Sequence, residues 1–183
     1  MPDVQNSQFI NGELVGIYGP LSLEAEYNAT WLNSNDSATS GHALGKDILP
    51  GNAFFQGAHI DAAYSLTGES RATGYDALSG VVKRIKPNRN FTLSGDGWGA
   101  FETKARFMWV DMNQIDNPLY AGGNQVASTV GVNWYPNNWA RVMLDWTHVY
   151  SLDIGKAGIN RTVVGNQNTG DWDYVQARVQ LVY

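Results

Sequence analysis

Tyr174-Val175-Gln176-Ala177-Arg178-Val179-Gln180-Leu181-Val182-Tyr183 decides the fold. Val175, Ala177, Val179, Leu181 and Tyr183 fall on one side of an extended strand; Tyr174, Gln176, Arg178 and Gln180 fall on the other. Successive side chains of a strand point to opposite faces, so this run has one apolar and one polar face. It also runs out to an aromatic with no polar tail behind it, whereas soluble domains usually end in a few polar residues. An apolar face outward, a polar face inward and an aromatic at the end suit a strand that crosses a bilayer in a β-barrel. The competing reading is an edge strand of a soluble sandwich, which has the same alternation.

The pattern recurs upstream. Leu21, Leu23, Ala25 and Tyr27 alternate with Ser22, Glu24, Glu26 and Asn28, and Ala58, Ile60, Ala62 and Tyr64 with His59, Asp61, Ala63 and Ser65. The runs Phe101–Trp109, Val126–Trp134 and Val142–Tyr150 do the same, and Ile10–Tyr18 does so less cleanly. Period-two alternation over such lengths predicts strands, and no stretch carries a long helical period. Spans are expected near 8–18, 21–32, 54–67, 98–112, 124–135, 139–150 and 172–183, as one antiparallel meander of about seven to eight strands. Gly19-Pro20 and Pro136-Asn137-Asn138 read as tight turns; 33–52, 111–124 and 151–171 read as long polar connections. Outer-membrane barrels have short periplasmic turns and longer outer loops, which sets the direction of every strand. Residues 68–97 then join two periplasmic strand ends. Pro87, Asn88, Asn90 and Ser94-Gly95-Asp96-Gly97 break any strand there, so the segment reads as a long periplasmic connection within a single domain, 1–183.

An odd count of spanning strands does not fit a complete single-chain bacterial barrel, which has an even number. The expectation is a partial barrel, closed by a missing N-terminal half or by other copies, because open edges are not tolerated in lipid. The aromatics sort by height. Trp31, Phe54, Phe55, Trp109, Tyr150 and Trp172 are expected near one rim, and Tyr18, Trp98, Trp134, Tyr135, Trp139 and Tyr183 near the other. The outward face of each strand is expected to carry no charge.

The composition agrees. The chain of 183 residues holds seven Trp and nine Tyr, residues that favour interfaces with one apolar and one wet side. No window approaches the ~20 apolar residues of a membrane helix, and Met1-Pro2-Asp3-Val4 does not open a signal peptide. The absence of Cys excludes disulfides and thiolate chemistry, and a net charge of −5 argues against a nucleic-acid partner.

Gly12-Glu13-Leu14-Val15-Gly16-Ile17-Tyr18-Gly19-Pro20-Leu21-Ser22-Leu23-Glu24-Ala25-Glu26-Tyr27, Tyr64-Ser65-Leu66-Thr67-Gly68-Glu69-Ser70-Arg71, Gly97-Trp98-Gly99-Ala100-Phe101-Glu102, Gly131-Val132-Asn133-Trp134-Tyr135-Pro136 and Arg178–Tyr183 follow one another along the chain. In these runs the chain resembles the C-terminal half of the phosphate-selective porin O and P family. The resemblance implies a sixteen-stranded, homotrimeric porin of the Gram-negative outer membrane that lets small anions such as phosphate diffuse through a water-filled pore. The N-terminal half, with strands and an inward loop that form much of that family's constriction, lies outside this sequence.

No catalytic group, cofactor motif or metal site stands out, and the chain does not read as an enzyme. His42, His59 and His148 are scattered; Glu24 and Glu26 share a face without a cleft; Asp171-Trp172-Asp173 reads as a hydrated rim. The candidates for function are basic residues on the polar faces, Lys104, Arg106, Arg141 and Arg178, since Arg and Lys lining a pore favour anions. Acids at Glu13, Glu24, Glu26, Asp61, Glu102 and Asp145 share these faces, so a wall lattice of salt bridges is the competing role. Lys83, Arg84, Lys86 and Arg89 form a basic cluster in the periplasmic connection. The alternative to a pore in the bilayer is a soluble, aromatic-rich, lectin-like β-sandwich that binds its ligand at the surface.

Overall fold

The structure, a computed structural model, describes residues 4–34, 53–76, 78, 81–82, 84–113, 121–153, 168–169 and 171–182. The alternating, β-branched and aromatic runs form long strands, as such residues pack well on a pleated surface. These are β1 (Val4–Tyr18), β2 (Leu21–Ser34), β3 (Ala53–Ser65), β6 (Ala100–Asn113), β7 (Ala121–Asn137), β8 (Ala140–Asp153) and β10 (Trp172–Leu181). Between β3 and β6 lie a 3₁₀ turn (Arg71–Gly74) and a two-residue pair, β4 (Tyr75–Asp76) with β5 (Val81–Val82); β9 (Asn168–Thr169) pairs with the end of β8. The long strands form one antiparallel meander in the order β1-β2-β3-β6-β7-β8-β10. β3 pairs directly with β6, so residues 66–99 add no strand to the main sheet. The fold is the all-β, antiparallel transmembrane meander of a partial barrel.

The two tight hairpins have local causes. At Tyr18–Leu21, Gly19 takes φ 55 ahead of Pro20 with its fixed negative φ, the pattern of a type II′ turn. The second hairpin closes at Asn137–Ala140, slightly later than Pro136-Asn137-Asn138. The Asn137 Oδ1 accepts from the backbone N–H of Trp139 at 2.8 Å and of Ala140 at 3.0 Å, an Asx turn that needs no glycine. Pro136 sits where the β7–β8 register shifts, so its missing N–H removes no ladder bond.

The two faces differ as the alternation requires. Leu23, Ile60, Phe107, Val132, Leu144 and Val179 share one face and remain 42–68% exposed, with no second sheet laid over them among the described residues. A sandwich would bury such a face; a barrel gives it to lipid. The opposite face is concave: residues from β1 to β10 line one cavity of about 300 Å³ on it. β1 and β10 are the edges of the sheet and do not pair with each other among the described residues. Seven antiparallel strands leave them running the same way, so antiparallel closure takes an odd number of further strands.

Three aromatics depart from the expected girdles. Register places Phe55 opposite Thr30, Tyr135 opposite Ala100 and Trp172 opposite Val149, all on the concave face. Tyr135 is buried at 1% exposure, its hydroxyl on a carboxylate instead of an interface. On the outward face Trp31 lies against Phe54 near the strand ends with ring centroids 5.0 Å apart, and Trp98 and Trp139 are exposed beside the turns at the hairpin end. The outward face is also not free of charge. Asp173 lies on it opposite His148, with Oδ1 2.9 Å from the imidazole Nδ1. The pair sits near the strand end beside Tyr150, where a charge is tolerated by reaching the interface. Tyr183, His42 and most of the long connections fall outside the described residues.

Candidate functional site

Strand register turns the polar residues into rungs across the concave face. One rung reads Glu24, Asp61, Arg106, Thr129, Thr147, Tyr174 from β2 to β10. The next reads Ala63, Lys104, Gly131, Asp145, Gln176, and the third Ser65, Glu102, Asn133, Met143, Arg178. Lys104, Arg106, Arg141 and Arg178 all line the same cavity, although they come from three strands.

Their partners differ. Arg106 forks onto Asp61, with Nε to Oδ1 at 2.6 Å and Nη2 to Oδ2 at 2.7 Å. Lys104 reaches across β7 to Asp145, Nζ to Oδ1 at 2.9 Å. Gly131 makes that crossing possible: a Cβ there would run into the Asp145 carboxylate and lie 3.0 Å from the Lys104 side chain. By contrast, Arg141 hydrogen-bonds the Gln180 Oε1 at 3.0 Å and lies with its guanidinium 5.8 Å from the Tyr135 ring centroid. Among the described residues no carboxylate lies within ion-pair distance of Arg141 or Arg178. The register sets these two diagonally, Arg141 opposite Gln180 and Arg178 opposite Met143. A diagonal separation is about 7–8 Å, close enough for two cations to act on one ion between them.

Glu24, His59 and Asp61 each place a ligand atom within 4.8 Å of the others. Both Asp61 oxygens are already held by Arg106, and the His59 Nε2 lies 3.3 Å from Asp61 and 3.6 Å from Glu26. This is the chemistry of a mixed-charge wall lattice. Of the basic cluster, Arg84 donates to the Asn138 carbonyl of the β7–β8 turn, Lys86 and Arg89 are exposed, and Lys83 lies outside the described residues.

Residues 66–99 pack against the hairpin end of the concave face, and here sequence reasoning missed two participants. Arg71 and Val82 line the same cavity as the basic strand residues, and Ile85 is buried with Ala100 and Tyr135. Arg71 donates to Glu102, which is only 1% exposed. Arg71 sits outside any alternating run, so no periodicity aims it at the sheet. Its neighbour Glu69 is buried too: its carboxylate accepts from Ser65 Oγ at 2.7 Å, from the Thr67 hydroxyl, and from the Asn88 backbone N–H at 3.1 Å. Burial opposes ionisation of Glu69, but these bonds outweigh it and hold its carboxyl below the ordinary value of 4.5. A lowered folded-state value stabilises the docked segment at every pH above the unfolded value, and this is lost as pH falls through the folded one. Hydrogen-exchange protection of the Glu69 and Asn88 amides, corrected for intrinsic rates, is therefore expected to hold from neutral pH down to 4.5 and to decline only below it. Protection lost already between pH 7 and 5.5 would contradict this assignment.

The family model for phosphate-selective porin O and P matches residues 1–183. The chain belongs to that family. Porin O from Pseudomonas aeruginosa is 27% identical over 179 residues, a match that covers 90% of this chain. The chain spans about a third of the length of that curated relative, 33%. The motif runs named above lie inside the matched range, and the rungs of paired and unpaired charge are therefore those of a porin O and P family sheet.

Proposed function

We propose that the concave face is a stretch of pore wall in the outer membrane of a Gram-negative bacterium, along which small anions such as phosphate diffuse passively. The observation that carries this is the uneven pairing of charge. Lys104 and Arg106 are neutralised within the wall, while Arg141 and Arg178 face the same cavity with no carboxylate partner among the described residues. Unpaired guanidiniums bordering confined water lower the energy of a passing anion and raise that of a cation. Arg sites keep their charge at any physiological pH and present several donors to an oxyanion. In this reading the tight hairpins and residues 66–99 are periplasmic, and the long connections face outward. The edges of β1 and β10 are closed by further strands, from residues beyond 1–183 or from other copies, in a trimeric assembly. Catalysis has no part in it; the wall binds weakly and releases. The test is the zero-current potential of the intact protein in a planar bilayer under a salt gradient. A potential of the sign set by anion flow is expected; cation preference, or no conducting state, would sink the proposal.

A further inference from the structure

We infer that Glu102 and Arg71 form a clamp that positions residues 66–99 over the anion path, and so sets the free bore beside Arg141 and Arg178. The inference rests on the pore reading above. Glu102 projects from β6 into the concave face and is 1% exposed. Its Oε2 accepts from Asn133 Nδ2 at 2.8 Å and from the Tyr135 hydroxyl at 3.0 Å, both from β7. Its Oε1 accepts from Arg71 Nε at 2.8 Å and Nη2 at 2.7 Å. Among the described residues the wall thus offers this carboxylate only neutral donors, and the one cation bonded to it comes from the segment. A buried carboxylate that loses its cation is strongly disfavoured, so lifting the segment away carries that penalty. Other anchors are the buried Ile85, the Arg84 bond to the Asn138 carbonyl, the Phe91 N–H on the Pro136 carbonyl at 2.7 Å, the Ser65 hydroxyl on the Glu69 carboxylate at 2.7 Å and the Trp134 Nε1–H on the Trp98 carbonyl at 2.8 Å; among the described residues none of these is an ion pair. Because Arg71 and Val82 line the cavity that holds Arg141 and Arg178, the docked segment occupies space that an ion would otherwise use.

Arg71 and Glu102 are positioning residues under this inference, and the test reads position separately from transport. Arg84 and Arg89 lie in the segment and serve as trypsin sites. Glu102→Gln keeps the wall bonds to Asn133 and Tyr135 but loses the ion pair; Arg71→Met removes the same pair from the segment side and leaves the sheet untouched. Each variant is expected to raise the tryptic cleavage rate about tenfold or more at these sites. Each is also expected to raise single-channel conductance in a planar bilayer, with heat-modifiable gel mobility unchanged. Arg71→Lys is expected to restore most of the protection. His148→Gln, which removes the imidazole in contact with Asp173 on the outward face, should leave the cleavage rate at the parental value. Parental cleavage in both Glu102→Gln and Arg71→Met overturns the clamp. Faster cleavage at unchanged conductance overturns its role in setting the bore. Failure of the parent to prefer anions would overturn the pore reading alone, since cleavage reports docking whatever the solute.

Discussion

Replacing Arg141 and Arg178 together by Gln is expected to lower the anion-to-cation permeability ratio of the intact protein by about tenfold. Two unit charges ~7 Å from an ion contribute roughly 1 kcal/mol at the dielectric of water, and the effect has opposite sign for anion and cation. Screening by salt reduces it, so the measurement belongs at low ionic strength. The comparison that gives the result meaning is the double replacement Lys104→Gln with Asp145→Asn. That pair sits 2.9 Å apart and is removed as a neutral unit, so the zero-current potential should barely move. Lys104→Gln alone is a poor control, because it unmasks Asp145 and adds a negative charge to the cavity. If the neutral pair removal shifts the ratio as much as the loss of both arginines, the wall lattice and not the unpaired arginines sets the preference.

Leu144→Arg is expected to destabilise the folded sheet by about 2–4 kcal/mol in lipid vesicles, measured by urea titration. Leu144 stands mid-strand on β8, opposite Val132 and 55% exposed on the outward face. There a guanidinium has no water within reach. The same change at Tyr150, on the same face but near the strand end, should cost only ~0–1 kcal/mol, because the long side chain reaches the interface. This gradient along one strand is the signature of a bilayer. Equal costs at the two positions would contradict a lipid-facing surface and return the sandwich to consideration.

Much of this was legible in the chain itself. Alternation put Lys104, Arg106, Arg141 and Arg178 on one face, and the breakers between Pro87 and Gly97 correctly excluded a strand from the main sheet. The long strands begin or end within a few residues of the expected spans, and the first hairpin turns at Gly19-Pro20. These features are local: a strand's face depends on parity, and a tight turn on the φ preferences of two residues.

The facing of the rim aromatics was read less well. Phe55, Tyr135 and Trp172 have the right height for a girdle but the wrong parity, and Asp173 has outward parity close enough to the rim to keep a charge. Position along a strand and position around it are independent coordinates, and composition speaks only to the first.

The sequence by itself determined the strands, their two faces and the family to which they belong. Only the tertiary structure decided which charges are spent on the wall. Lys104 is neutralised because register lays Gly131 between it and Asp145, and Arg106 because Asp61 lies directly opposite. Arg141 and Arg178 face Gln180 and Met143 instead. Arg71 finds Glu102 across thirty-one positions of chain, most of them without strand periodicity. Coulomb energy depends on distance in space, and in a sheet that distance is set by register, which no single strand contains.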